Sequence, residues 1–191
     1  MRSECFGGKS AGDNRKLHVM RNKISMENAL LRMQALCSRG EHCEHDIRLK
    51  LRAMQMPQPQ TELIVRSLRD EQFIDDSRYA RAFVRDKYRF NGWGRAKISS
   101  ALRAKGIGTD VIDEALDEID AEEYHDVMMR ALESKARSLG SREPRAARDA
   151  LVRFAASRGY EPAKFFPAIS SLLSGGDDED VSDYPDDDFT P

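Results

Sequence analysis

The sequence predicts an all-α protein built from tandem three-helix repeats of helix-turn-helix type, which would stack into an elongated curved body. Apolar residues recur at helical spacing from Ser25 to about Leu173, and no segment alternates apolar and polar residues with the period of a strand. The helical pattern also repeats along the chain at intervals of about fifty residues. A unit of that size has a small core, so neighbouring units are expected to pack together.

The apolar periodicity and the residues that interrupt it predict about nine short helices. In the first unit the apolar positions form three series: Met26, Leu30, Met33 and Cys37; then Ile47, Leu51 and Met54; then Leu63, Ile64 and Leu68. Helix ends are expected at Gly40, Gly106, Gly140 and Gly159, and helix starts near Pro57, Pro144 and Pro162. Pro167, inside the final apolar run, leaves the boundary of the last helix open.

The repeat is visible when the sequence is shifted against itself. A shift of 51 residues superimposes Leu51-Arg52-Ala53 on Leu102-Arg103-Ala104, and Met56 on Ile107. A shift of 53 residues carries Ile98, Leu102, Gly106, Ile107, Ile112 and Leu116 onto Leu151, Ala155, Gly159, Tyr160, Phe165 and Ile169. Each unit is predicted to contain a helix, a turn, a second helix that ends at glycine or an equivalent residue, and a third helix that closes over both.

This organisation predicts three repeats between two unlike ends. The repeats cover residues 25–74, 75–120 and 121–174, between a flexible basic arm at 1–24 and a disordered acidic tail at 175–191. The tail contains eight acidic side chains, and without it the net charge of −2 becomes +6, from 31 basic and 25 acidic residues. Solubilisation is the favoured role of the tail; its Asp186-Asp187-Asp188-Phe189 end leaves open partner recruitment or folding onto basic residues as a DNA mimic.

The composition indicates a globular protein without a membrane segment. Hydrophobic residues make up 40% of the chain and charged residues 34%. No run approaches the roughly 18 apolar residues that cross a bilayer, and no apolar stretch follows the basic residues at the start, so a cytoplasmic location is expected. The cysteines Cys5, Cys37 and Cys43 are expected to be free thiols, because their number is odd and their spacing does not suit a disulfide framework.

The segment after Phe73 predicts a helix with two different faces. Asp75 and Asp76 suit its start, where carboxylates accept unpaired backbone N–H groups. One face carries Tyr79, Ala80, Phe83 and Val84, and the opposite face carries the arginine stripe, which we define as Arg78, Arg81, Arg85 and Arg89. Four arginines on one stripe repel one another unless an anion answers their charge, which favours a binding surface over an ordinary solvated face.

Two further basic groups extend the predicted binding surface. The first follows the Asn91-Gly92-Trp93-Gly94 turn and comprises Arg95, Lys97, Arg103 and Lys105. The second lies in the third repeat and comprises Arg142, Arg145, Arg148, Arg153 and Arg158. Together they predict a positive surface along one side of the body, suited to phosphate or to an acidic protein. Trp93 is expected to pack against the protein in preference to stacking on a base or inserting into a partner.

Three stretches resemble the RecX family of RecA regulators. They are Phe73-Ile74-Asp75-Asp76-Ser77-Arg78-Tyr79-Ala80-Arg81-Ala82-Phe83-Val84, the pair Gly94-Arg95-Ala96-Lys97-Ile98 and Leu102-Arg103-Ala104-Lys105-Gly106-Ile107, and Arg153-Phe154-Ala155-Ala156-Ser157-Arg158-Gly159-Tyr160. The resemblance covers roughly residues 26–173. It is weakest in the first repeat, where Cys43 and Asp46 replace the family's Ser or Thr and Glu, so that helix start is expected to fray or to be held by Glu44.

The resemblance implies a non-enzymatic, all-helical regulator without a cofactor. Such a protein binds the RecA–DNA filament in its groove, spans neighbouring subunits, and lowers strand exchange, ATP hydrolysis and co-protease activity. A monomer is expected, and its repeats in series would gain avidity on a repeating filament. The basic residues named above are then the candidate contacts with RecA, single-stranded DNA or the phosphate backbone.

Two other classes of protein remain as alternatives. A sequence-tolerant DNA-binding protein would use the same basic helices, with contacts mainly to phosphate because few Asn or Gln are available to pair with bases. A zinc module would use Cys37, His42, Cys43 and His45, but their irregular spacing disfavours it. Motifs of phosphate loops, dinucleotide sites, nucleophile elbows and zinc proteases are absent, so no catalytic residue is predicted.

Overall fold

The structure, a computed structural model, describes residues 24–140 and 142–174. These residues form nine α-helices and no β-strand, which confirms the predicted all-α class for the described part of the chain. The helices are α1 (Met26–Cys37), α2 (Glu44–Ala53), α3 (Gln58–Asp70), α4 (Asp76–Arg89), α5 (Arg95–Ala104), α6 (Thr109–Asp117), α7 (Ala121–Leu139), α8 (Pro144–Arg158) and α9 (Pro162–Ser174). None of them is long and apolar enough to span a membrane.

The chain divides into two compact units, Met1–Tyr79 and Ala80–Pro191. The predicted arm, apart from Ile24, and the predicted tail lie outside the described residues. The boundaries of the three predicted repeats stay predictions.

The first unit is built on α3, against which both α1 and α2 pack. Its core consists of Ala29, Met33, Ile47, Leu51, Met56, Ile64, Val65, Leu68 and Ile74. The prediction for α3 is wrong at Leu63, which is 50% exposed, while Thr61 is buried. Thr61, Ile64, Val65 and Leu68 share the spacing of one helix face, and Leu63 points about 100° away from Ile64.

In the second unit α5 packs against α6, and α7, α8 and α9 pack against one another. The largest fully buried side chains here are Ile98, Leu102, Ile112, Tyr124, Met128, Leu132, Leu151 and Ile169. The Tyr124 hydroxyl donates a 2.5 Å hydrogen bond to Glu161 Oε2 and accepts one of 3.1 Å from the backbone N–H of Arg95. This buried phenol therefore connects the starts of α5, α7 and α9.

The same turn ends α2, α5 and α8, and it also ends α3, where the Phe73 N–H donates to the Leu68 carbonyl at 2.8 Å after Gln72 with φ of 62°. The backbone N–H donates five residues back from Met56 to Leu51, from Ile107 to Leu102 and from Tyr160 to Ala155, at 3.0, 3.2 and 3.2 Å. The residues before these donors have positive φ: 57° at Gln55, 79° at Gly106 and 81° at Gly159. Such a left-handed residue is the usual way to end a helix. The turns that end α2, α5 and α8 coincide with the positions that the sequence shifts of 51 and 53 residues superimpose.

The start of α2 is held by Asp76, the first residue of α4. Cys43 is the N-cap residue and makes no capping hydrogen bond with its side chain. The carboxylate of Asp76 accepts a hydrogen bond from the backbone N–H of Glu44. Glu44 does not hold the helix start as expected, because its carboxylate forms ion pairs with Arg48 and Arg69.

Of the two aspartates predicted to cap α4, only Asp75 does so. Its Oδ1 accepts a 2.8 Å hydrogen bond from the backbone N–H of Arg78. Asp76 is directed towards α2, and burial, followed by the nearby Glu44 carboxylate, raises its pKa. At the other end of the described chain, α9 continues through Pro167 to Ser174, so this proline does not end the helix.

Candidate functional site

The arginine stripe lies on the exposed side of α4, as predicted. Its four residues are all exposed, while Tyr79, Ala80, Val84 and Tyr88 on the other side are at most 7% exposed. Phe83 is only partly buried. The stripe is therefore presented to solvent by a helix whose opposite face is held in the core.

Three of the four arginines form salt bridges with carboxylates of the chain itself. Arg81 Nε lies 2.8 Å from Glu118 Oε1. Arg89 Nε lies 2.9 Å from both Glu123 Oε1 and the Tyr88 hydroxyl oxygen. Hydrogen bonding within this group raises the pKa of Arg89 and lowers the pKa of Glu123.

Arg78 is the most firmly held member of the stripe. Its Nε lies 2.7 Å from Glu41 Oε1, and its Nη2 donates to the carbonyls of Gln72 and Phe73 at 3.0 and 3.5 Å. These carbonyls lie in the turn between α3 and α4. Arg78 thus contributes to the structure of the first unit, a role that its place on an exposed stripe did not indicate.

Arg85 has no salt bridge to any residue that the structure describes. Together with Arg81 and Arg89 it lines a shallow cavity of about 130 Å³ between α4 and the end of α6. Within the arginine stripe, Arg85 is therefore the residue most available to bind an external anion.

The two other basic groups also contain both residues with contacts inside the protein and residues without a salt bridge. Arg95 stabilises the second unit, because its Nη2 donates to the Ile119 carbonyl at 3.3 Å and its guanidinium lies 5.4 Å from the centroid of the Tyr124 ring. Lys105 is partly buried and takes part in a contact inside the protein. Five arginines are exposed and form no salt bridge within the described ranges 24–140 and 142–174: Arg103, Arg142, Arg145, Arg148 and Arg153.

The turn between α4 and α5 is fixed to the end of α8. Gly94 N donates to the Arg158 carbonyl at 2.8 Å, and the Tyr160 hydroxyl donates to the Gly92 carbonyl at 2.9 Å. A Cβ atom on Gly94 would overlap the backbone of Gly159, so only glycine allows the two backbones to approach this closely. The structure thereby brings together Lys97 and Arg158, which belong to different predicted basic groups.

Aromatic and cationic side chains surround this turn. Trp93 packs edge to face with Phe83 at a centroid distance of 6.4 Å, which agrees with the expected packing role. The Nζ atoms of Lys87 and Lys97 lie 5.5 and 4.7 Å from its ring. Phe90, which the sequence reasoning missed, is 82% exposed. A phenylalanine that directly follows a basic helix face and precedes a glycine turn could have indicated it.

The cysteines and histidines of the zinc alternative do not form a metal site in this structure. Cys43 is fully buried, and burial is the main cause of the raised pKa of the partly buried Cys37 thiol. Within the residues that are described, no group of three or more His, Cys, Asp or Glu side chains is arranged to hold a metal ion.

The comparisons with known proteins agree on one family. A family profile for RecX, second three-helix domain, matches residues 75–116, which include α4, α5 and most of α6. The regulatory protein RecX of Clostridium acetobutylicum is 35% identical over 102 residues, 52% of this chain and 47% of the relative, so the match spans about half of that relative's length. The regulatory protein RecX of Clostridium botulinum strain Eklund 17B is 29% identical over 154 residues, 80% of this chain and 72% of the relative.

Solved structures are similar in fold. A crystal structure of regulatory protein RecX superimposes with a TM-score of 0.69 at 23% identity, covering 88% of this chain and 81% of that chain. The crystal structure of RecX from Lactobacillus salivarius superimposes with a TM-score of 0.66 at 18% identity, covering 77% of this chain and 96% of that chain. The all-helical repeat fold is thus shared with both.

Proposed function

The chain belongs to the RecX family, and from this membership we propose that it regulates a RecA recombinase by binding the RecA–DNA filament. The observation that carries the proposal is the family match over residues 75–116, because these residues include the whole arginine stripe. The regulator acts without catalysis, as a monomer, in the cytoplasm where the filament forms. It lowers strand exchange, ATP hydrolysis and co-protease activity.

The proposed contact surface uses the predicted basic residues unequally. Arg85, Arg103, Arg145, Arg148 and Arg153 are exposed and have no carboxylate partner in the described part of the chain, which supports direct contacts to phosphate or to acidic side chains of RecA. Arg78, Arg81, Arg89, Arg95, Lys97, Lys105 and Arg158 already have contacts inside the protein, so their contribution is mainly to shape and field.

The test is the rate of RecA ATP hydrolysis on single-stranded DNA as the full chain is titrated in. Inhibition at ratios far below one molecule per DNA binding site is the expected result, because a regulator acting on the filament affects many subunits at once. Inhibition that requires saturation of the DNA, and that extra DNA abolishes, would contradict the proposal.

A second function, sequence-tolerant binding of single-stranded DNA, is favoured by the surroundings of Phe90. This exposed ring follows α4 directly, and Lys87 and Lys97 flank Trp93 three residues further on. Aromatic rings beside lysines suit stacked bases with neighbouring phosphates. Anisotropy of a labelled oligonucleotide without RecA tests it: binding should weaken with salt and with Phe90→Ala, and oligonucleotide that never binds would exclude this function.

A further inference from the structure

A groove between α1 and α2 is a cavity of the first unit to which no role has yet been assigned. It measures about 510 Å³ and is lined by Arg32, Met33, Ala35, Leu36 and Arg39 of the first helix and its end, and by Lys50, Ala53 and Met54 of the second. None of these residues belongs to the arginine stripe or to the other predicted basic groups. The groove therefore requires an explanation of its own.

The floor of the groove is apolar. Met33 is 3% exposed and belongs to the core, and Leu36 and Met54 pack against that core while remaining partly exposed. Leu31 and Leu49, which are 61% and 48% exposed, lie one helical turn before Ala35 and Ala53. Because residues four apart share a helix face, the leucines extend both apolar walls along the groove.

The rim of the groove carries three cations: Arg32, Arg39 and Lys50. Over the described stretches of the chain, none of the three forms a salt bridge. Other arginines of the same unit do, since Arg48 pairs with Glu44 and Glu62, and Arg78 pairs with Glu41. The first unit thus supplies carboxylates to Arg48, Arg69 and Arg78 and leaves the three cations at the rim of the apolar groove without one.

We propose that this groove binds an acidic peptide segment of a partner protein that carries one large apolar side chain. The apolar side chain enters between Leu36 and Met54, where unbranched methionine adapts to its shape. The carboxylates on either side of it meet the rim cations, and hydrogen bonds to charged groups are among the stronger ones. A peptide fits better than nucleic acid, because the groove is lined by aliphatic side chains and offers no aromatic ring on which a base could stack.

This inference goes beyond RecA regulation and does not depend on it. The groove lies in α1 and α2, whereas the proposed filament contacts begin at α4. The two proposals can therefore fail separately: loss of peptide binding would leave inhibition of ATP hydrolysis untouched, and the reverse also holds.

The experiment measures the anisotropy of a fluorescein-labelled peptide of six aspartates around one phenylalanine, titrated with the full chain. We expect saturable one-to-one binding. Ala53→Trp, which fills the groove from an exposed position, and Lys50→Glu should each weaken it about tenfold. A peptide with aspartate in place of the phenylalanine should also bind more weakly.

Arg52→Glu is the matched control, because Arg52 lies on the same helix as Lys50 but about 200° around it. It should leave binding nearly unchanged, and circular dichroism verifies that every variant is folded. Absent binding, or binding that Ala53→Trp and Lys50→Glu do not weaken, would overturn the proposal. So would binding only after residues 175–191 are removed, which would assign the groove to the chain's own acidic tail, and so would displacement of the peptide by single-stranded DNA at equal charge concentration.

Discussion

At the scale of single residues, the helix-ending turns differ in one respect that governs stability. Gln55 and Gly106 hold the same position in their turns, with φ of 57° and 79°, but only glycine adopts this conformation without a steric penalty from Cβ. Gln55→Gly is therefore expected to stabilise the protein by about 0.5–1 kcal/mol. Urea unfolding followed by circular dichroism measures the change.

Gly106→Ala is the matching substitution in the opposite direction. A Cβ atom on Gly106 would meet nothing within 4 Å, so the expected loss of about 1 kcal/mol comes from backbone conformation alone. If both substitutions destabilise the protein, side-chain contacts of Gln55 outweigh the backbone effect and the argument is wrong.

Residue by residue, the sequence predicted burial better than hydrogen bonding. The helical period identified Ile47, Leu51, Ile64 and Leu68, all of which are fully buried. It did not identify Asp76 as the residue that holds the start of α2, because the two are more than thirty positions apart and a capping carboxylate leaves no periodic signal. Long-range polar contacts need the fold before they can be recognised.

Asp76 also makes stability depend on pH. Its pKa is raised on folding, so between the unfolded value of about 3.9 and the raised folded value the folded chain holds more protons than the unfolded chain. Its contribution to stability is then present below the unfolded pKa and is lost as pH rises through the folded pKa. Relative to Asp76→Asn, which keeps the acceptor oxygen, the protein should lose stability as pH rises through this window.

Glu62 provides the opposite control, since Arg48 lowers its pKa. Relative to Glu62→Gln, the protein should gain stability as pH rises through the acid range, because a lowered pKa favours folding at higher pH. Urea unfolding at a series of pH values from about 3 to 7 compares the two variants. Equal slopes for both would refute the assignment of Asp76.

At the scale of elements, α4 begins with an arginine that stabilises the first unit and continues with the proposed interaction surface. Arg78→Glu should destabilise the protein by about 1 kcal/mol, because it removes the ion pair with Glu41 and the hydrogen bonds to the Gln72 and Phe73 carbonyls. Arg85→Glu should leave stability nearly unchanged, as Arg85 has no such partner in the described chain. Thermal unfolding followed by circular dichroism separates them, and equal stability of both variants would contradict this division.

The elements themselves could be predicted from sequence, but their ionic partners could not. The apolar period, the prolines and the glycines indicated α-helices from Ser25 to about Leu173, and the described helices run from Met26 to Ser174. Glu41, Glu118 and Glu123, which pair with the arginine stripe, come from three other parts of the chain. Three of the four arginines therefore need no external ligand to offset their repulsion, although this repulsion was the physical reason for predicting a binding surface.

At the scale of the whole molecule, the free cations and the paired cations should behave differently towards the filament. Reversing Arg85, Arg103 and Arg148 together should raise the concentration needed to inhibit RecA ATP hydrolysis by about tenfold or more, since each is exposed and lacks a carboxylate partner in the described chain. Increasing salt should reduce this difference. Arg52→Glu serves as control, and an unchanged inhibition curve for the triple variant would remove these residues from the contact surface.

The resemblance to the RecX family could be recognised from sequence because the matching residues combine chemistry with order along the chain. The aspartates, arginines and aromatic residues of α4, followed by Gly94 and Gly106, all lie within the stretch that the RecX family profile matches. The groove between α1 and α2 could not be predicted in this way. Its lining residues are ordinary members of two amphipathic helices, and only the fold shows which of their cations remain without a carboxylate.

The contact between Asp76 and the start of α2 also sets an order of events during synthesis. Residue 76 is added to the chain after α1, α2 and α3, so α2 is synthesised before the residue that holds its start. A fragment that stops at residue 74 would lack that residue permanently. The smallest autonomous first unit therefore extends at least to Asp76, the first residue of a helix most of which belongs to the second unit.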